Sequence, residues 1–141
     1  MKRIVCGFAM VAFFFVLGAA HIAQAVTLEE AKDLGIKAAA FVKENGEEKG
    51  AVELNNPKGQ FSRGPLYVTL HDFNSTIVQA KDPISGRHFN KDMIEIAKTK
   101  GCGWVEYSWT NNATKKVQKE KAWVQRVENM DLFTVCGISQ D

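Results

Sequence analysis

Residues 103–110 alternate in a way that permits few structures. Trp104, Glu106 and Ser108 fall on one side of an extended chain, and Val105, Tyr107 and Trp109 fall on the other. Asn111-Asn112 then begins a turn. Val117 to Val127 is long enough for a strand running back beside the first. Asn129 and Asp131 mark the next turn, and Leu132 to Ile138 reads as a last strand. Three strands joined by tight turns commit this half of the chain to an antiparallel sheet.

The other half is mostly helical. Thr27 followed by Glu30 forms a capping box, and Leu28, Ala31, Leu34, Ala38, Phe41 and Val42 recur at helical spacing. Glu29 and Glu30 suit the positive end of the helix dipole, and Lys43 suits the negative end. Asn45-Gly46 stops this helix. A shorter one follows over Glu47 to Leu54, until Asn55-Asn56-Pro57 breaks it. Leu66 to Asp72 reads as a strand, and Thr76 to Ala80 as a second strand completing a hairpin. Asp82-Pro83 and Ser85-Gly86 mark a loop. Asn90 to Lys100 reads as a helix ended by Gly101. Helices segregated from a run of hairpin-linked strands make an α+β pattern.

The N-terminus predicts export. Lys2 and Arg3 precede an uncharged apolar run from Ile4 to Ala20, and Ala23-Gln24-Ala25 offers the small residues that a signal peptidase reads. Residues 1–25 are therefore expected to be a signal peptide, cleaved after Ala25. The competing reading is an uncleaved anchor, although the run is slightly short of the about 20 residues a membrane span needs. An acylated lipoprotein would need its cysteine at the cleavage site, whereas Cys6 lies near the start of the apolar run. Val26 to Asp141 then forms one domain with no further membrane span.

Charge bears on partners. The chain has 18 basic and 16 acidic residues. Lys2 and Arg3 leave with the signal and no acid does, so the exported part is balanced. A neutral domain gives no footprint for nucleic acid. No G-x-S-x-G elbow, glycine-rich phosphate loop or C-x-x-C-H haem attachment is present. The chain is expected to be neither an enzyme nor a cofactor carrier. His71 and His88 have no ligand spacing such as H-x-x-x-H, so no metal site is expected.

The stretch Gly101-Cys102-Gly103-Trp104-Val105-Glu106-Tyr107-Ser108-Trp109 resembles the strand signature G-S-G-W-V-x-Y-x-W of single Cache domains of the second type. Further matches follow in the family's order. Asn111-Asn112 and Lys115-Lys116 stand at its turn, Trp123-Val124-Gln125-Arg126-Val127 in its fourth strand, and Val135-Cys136-Gly137-Ile138 at its closing V-x-G-I. Upstream, Asn55 to Phe61 and Gly64 to Val68 are similar to the entry into its first strand. The resemblance spans nearly the whole of residues 26–141. It implies a PAS-like fold, with a long N-terminal helix behind a five-stranded antiparallel sheet of order 2-1-5-4-3 and a ligand pocket on the other face. It also implies extracytoplasmic sensing of a small organic acid or amine. Most members are receptor ectodomains carrying a membrane helix and a signalling module. A chain without them would be a free-standing periplasmic or secreted version, a soluble binding protein or the partner of a membrane receptor or other envelope protein.

Two places depart from the family. Lys81 to Asn90 is short where many members have a longer pocket wall, which favours an alternative protein-interaction role with a reduced or absent pocket. The family also often has Lys three positions before the aromatic residue of strand four. Glu120 stands there, between Lys119 and Lys121.

The candidate ligand-binding residues are Tyr107, Trp109, Trp123, Lys121 and Arg87. Tyr107 and Trp109 offer large apolar area with one polar handle, and ordinary core packing is the competing explanation. Trp123 could join them from the neighbouring strand. Lys121, on the same face as Trp123, could hold a carboxylate or simply belong to the solvated run of Lys115, Lys116 and Lys119. Arg87 could hold an anion if its loop covers the pocket. A cavity of about 300 Å³ or more lined by these side chains would favour ligand binding. Under the strand order 2-1-5-4-3 that the resemblance implies, strand four would separate Cys102 from Cys136 by roughly 9–10 Å, beyond the roughly 7 Å that a disulfide spans, so no bridge is expected.

Overall fold

The computed structural model describes residues 25–74, 80–111 and 114–140. The expected leader lies outside these apart from Ala25. Helix α1 spans Leu28–Asn45. Its first turn is closed as the sequence predicts. Thr27 Oγ1 accepts the Glu30 N–H at 3.2 Å, and the Glu30 carboxylate accepts the Thr27 N–H at 2.8 Å. Gly46 ends the helix at φ +85°, a left-handed value that suits glycine, and donates its N–H to Val42 O. Helix α2, Glu47–Leu54, folds back against α1.

Strands β1 (Ser62–Arg63) and β2 (Leu66–Asp72) are joined by Gly64-Pro65, with Gly64 at φ +56°. Helix α3 covers Phe89–Thr99. Strands β3 (Cys102–Thr110), β4 (Val117–Arg126) and β5 (Leu132–Ser139) follow. All five strands form one antiparallel sheet of order β1-β2-β5-β4-β3. This is the expected α+β, PAS-like arrangement.

One strand differs from the expectation. The edge partner of Leu66–Asp72 among the described residues is Ser62–Arg63, which precedes it, with Ser62 opposite Tyr67 and Arg63 opposite Leu66. The reason is local: a left-handed glycine followed by proline reverses the chain within two residues. Of the strand expected at 76–80, residues 76–79 lie outside the described ones, and Ala80 is not in a strand.

Register sorts the side chains onto two faces. Val68, Cys136, Trp123 and Trp104 stand in one cross-strand row. They face α1, where Ala31, Leu34, Ala38 and Val42 form a core with Leu66, Val68, Val127 and Cys136. Thr134 joins this face, and its hydroxyl donates to Gly35 O at 2.9 Å. The opposite face carries Val105, Ala122, Val124, Phe133 and Val135, against which α3 packs Phe89, Met93 and Ala97. The sheet is thus the middle of three layers. Because α3 packs chiefly over β3 and β4, it leaves part of this face towards β2 and β5 uncovered among the described residues.

Both cysteines of the domain are free, as expected. Cys102 pairs with Gln125 and Cys136 with Trp123, so β4 stands between them.

Candidate functional site

The open part of the α3 face is a cavity of about 200 Å³. Strand β3 supplies Tyr107 and Trp109, on the face that the alternation predicts. Helix α3 supplies Phe89, Asn90 and Met93, and Ala80 borders it. Phe89 stacks on Tyr107 with ring centroids 4.1 Å apart and meets Trp109 edge-on at 5.9 Å. Three rings therefore brace one another in favourable geometries. Strand β2 contributes Tyr67, Thr69 and His71, β4 contributes Glu120, and β5 contributes Val135 and Gly137. Tyr67 and Trp109 remain 58% and 39% exposed, so they form the mouth.

Gly137 creates the hollow. A Cβ there would lie 3.6 Å from Tyr107 Oη and 3.7 Å from Glu120 Oε2, with Ala122 Cβ at 3.8 Å on the same side. Two oxygens thus converge on one small region that glycine leaves empty. Burial first, and the Glu120 charge second, push the Tyr107 and Tyr67 hydroxyls above the usual range, so both stay protonated. Burial holds His71 below its ordinary range despite the neighbouring Asp72 charge, so the ring is neutral at neutral pH. His71 Nε2 lies 2.8 Å from Thr69 Oγ1, and the ring stacks on Phe133.

The other candidates lie elsewhere. Trp123 and Lys121 are on the α1 face, the side away from the cavity. Trp123 packs edge-on against Trp104 at 5.2 Å and close to Gly35 of α1, and its indole N–H donates to Gln125. Lys121 Nζ pairs with Glu106 at 2.8 Å and sits 5.6 Å from the Trp104 ring. The cause is parity. Tyr107 stands opposite Glu120 across β3 and β4, so the flanking residue Lys121 must point away. Arg87 is also absent from the lining. It pairs with Asp92 at 3.2 Å and donates to Glu106 O.

The loop carrying Arg87 has a structural task. Asp82 is buried and its carboxylate accepts the N–H groups of Ile84, Ser85 and Ser108. Strand β3 is the sheet edge, and this loop engages its outward-facing Ser108 N–H and Glu106 C=O. The loop thereby fixes the strand that carries Tyr107 and Trp109. Among the described residues no cluster of three His, Cys, Asp or Glu side chains is placed to hold a metal.

The sequence profile described as Cache domain matches residues 20–141, most of the chain. The chain belongs to the Cache domain family. Similar solved structures point the same way for the fold. A Cache chemosensory domain studied for carboxylic acid recognition has 18% identity, a TM-score of 0.57, and coverage of 80% of this chain and 88% of that one. A periplasmic sensor domain of a chemotaxis protein has 14% identity, a TM-score of 0.58, and coverage of 80% and 90%. A methyl-accepting chemotaxis protein from Vibrio parahaemolyticus has 13% identity, a TM-score of 0.58, and coverage of 77% and 83%. No curated protein matches the chain. Within the Cache frame, sequence reasoning passed over Phe89, Tyr67 and Thr69 as lining residues, and it read Glu120 only as a departure. The length of the turn between β3 and β4 is the signal that places Glu120. With Thr110 opposite Val117, counting back along both strands brings Tyr107 to Glu120.

Proposed function

We propose that this Cache domain is an extracytoplasmic, non-enzymatic module that binds a small organic acid or amine and passes the signal to a membrane receptor or other envelope protein. Residues 1–25 would be its cleaved leader, leaving Val26–Asp141 as a periplasmic or secreted domain. Among the described residues no helix is long and apolar enough to cross a membrane. The observation that carries this reading is the cavity itself. It is walled by Phe89, Tyr107 and Trp109, and two oxygens converge over Gly137. Apolar walls with a few convergent polar groups are the general form of a small-molecule site. Of the sequence candidates, Tyr107 and Trp109 remain assigned to the ligand, and Trp123, Lys121 and Arg87 do not.

At about 200 Å³ the cavity lies below the range of about 300–1,000 Å³ usual for drug-sized ligands, so the ligand must be small. The same observation favours the second reading, a protein-interaction module with a reduced pocket. Thermal unfolding against a panel of small carboxylates, amines and amino acids separates the two. A ligand at 100 times its Kd adds about 2.7 kcal/mol. Under the first reading a panel member stabilises the protein, and Gly137→Val, which fills the hollow, removes the effect while the fold persists. Silence across the panel would favour the protein partner.

A further inference from the structure

We propose that His71 is the charge-reading residue of the cavity, and that a small organic acid binds there as its anion together with one proton, taken up from solvent onto the His71 ring. This rests on reading the cavity as a ligand site and adds the residue that selects the ligand and the proton that accompanies it.

Three observations carry it. The first is the supply of positive charge. Neither Lys nor Arg is among the described lining residues, and His71 is the described lining group that can become a cation. Residues 75–79 and 112–113, outside the described ones, carry no charged side chain. An anion that enters largely apolar walls without a counter-charge loses hydration and gains little in return. An imidazolium beside it supplies both charge and hydrogen bonds.

The second is the setting of the ring. His71 lies against Phe133, with centroids 5.3 Å and planes 21° apart, and its Nε2 is 2.8 Å from Thr69 Oγ1. Thr69 Oγ1 is in turn 3.4 Å from Val135 O. A protonated ring donates from both nitrogens. Thr69 Oγ1 must then accept from Nε2, and its own proton is left to donate to Val135 O or to a ligand oxygen. Protonation thus makes Thr69 and His71, both on the cavity side of β2, a pair of donors.

The third is the placing of the other charges. Glu120 already interacts within the chain, and its carboxylate lies towards Gly137. His71 stands opposite Phe133, four residues from Gly137 along β5 and so about 13 Å away along the strand. The two groups meet the cavity from different ends, and an anion beside His71 keeps clear of Glu120. Asp72 points to the other face by alternation and accepts the Asn74 N–H. Lys98 and Arg126 rest on the ring of Phe73, which stacks on Phe133. Tyr67 and Tyr107 keep their protons. His88 stands at the start of α3, next to Phe89.

The direction of the linkage follows. Burial holds His71 below its ordinary 6.5 while the cavity is empty. An anion beside the ring favours the charged form and raises that value. Affinity for the acid is therefore greatest below the empty-cavity value. It falls by up to roughly tenfold per pH unit as pH rises towards the occupied value.

The test follows propionate binding to the purified protein by calorimetry from about pH 5.5, where the ligand is ionised, to about pH 7.5. Propionate should weaken as pH rises, with net proton uptake read from the dependence of the binding heat on buffer ionisation, and the His71 ring signals in NMR should titrate at higher pH when it is bound. His71→Gln, which keeps a partner for Thr69 and does not titrate, should flatten the profile. His88→Gln should leave it sloped. Far-UV circular dichroism and melting confirm that both variants are folded. A flat propionate profile in the wild type, a slope that persists in folded His71→Gln, or propylammonium binding more tightly than propionate at pH 5.5 would overturn the assignment to His71 while leaving the ligand site standing. Silence towards propionate and the whole panel of acids, amines and amino acids at both ends of the range would overturn both.

Discussion

Asp82 accepts the backbone N–H of Ser108 at 2.7 Å, between the two residues that present Tyr107 and Trp109 to the cavity. The hydrogen bonds from the Ser85 and Ser108 backbones are the largest influences on this carboxyl, and they hold its pKa at about 2, below the ordinary 3.8. A depressed carboxyl contributes stability that is present above the unfolded value and lost as pH falls through the folded one. The window therefore runs from about pH 4 down to about pH 2. Urea unfolding of the wild type and of Asp82→Asn should show the variant less stable at neutral pH, with the gap closing across that window. A gap independent of pH would contradict the role assigned to Asp82.

Gly50 of α2 packs directly against the Val42 side chain of α1. A Cβ on Gly50 would lie 2.7 Å from Val42 Cγ2, in a region where Val42 is fully buried. Alanine normally gains about 1 kcal/mol over glycine inside a helix. Here overpacking, typically about 1–3 kcal/mol, outweighs that gain. Gly50→Ala should lower stability in urea unfolding, and the same change in a Val42→Ala background should raise it. Stabilisation by Gly50→Ala alone would mean that the helices are not this close.

Cys136 is fully buried, and burial pushes its thiol up to about 12, while Cys102 is only half-buried. The thiolate is the reactive form. Native labelling should modify Cys102 readily and Cys136 only at the rate of unfolding. Protection of both thiols that is released by reductant would reveal a bridge and contradict a sheet in which β4 stands between them.

Much of this fold was legible because its signals are local. The Thr27–Glu30 box, the apolar stripe of α1 and the alternation over β3 each act within a few residues, and each appears where the sequence places it. The faces of β4 were harder. Which side of a strand faces a pocket depends on register, and a shift of one residue reverses every side chain. Trp123 and Lys121 were attractive as an aromatic and a cation, yet pairing of Tyr107 with Glu120 sends both to α1. Phe89 was missed for a different reason. It lies at the boundary between loop and helix, where sequence signals are weakest, and its contact with Tyr107 joins elements that only tertiary packing brings together. Arg87 drew notice as an anion-binding candidate, but the loop uses it to hold the sheet edge.

The central claim is that ligand binds on the face of Tyr107 and Trp109 and not on the α1 face. The chain has three tryptophans, so three indole N–H signals report on both faces at once. Trp109 lines the cavity, whereas Trp104 and Trp123 pack against each other on the far side of the sheet. Titration of the tightest panel ligand into isotope-labelled protein, with signals assigned by single Trp→Phe variants, should shift Trp109 and leave the other two in place. A shift of Trp104 or Trp123 with Trp109 unmoved would contradict the account.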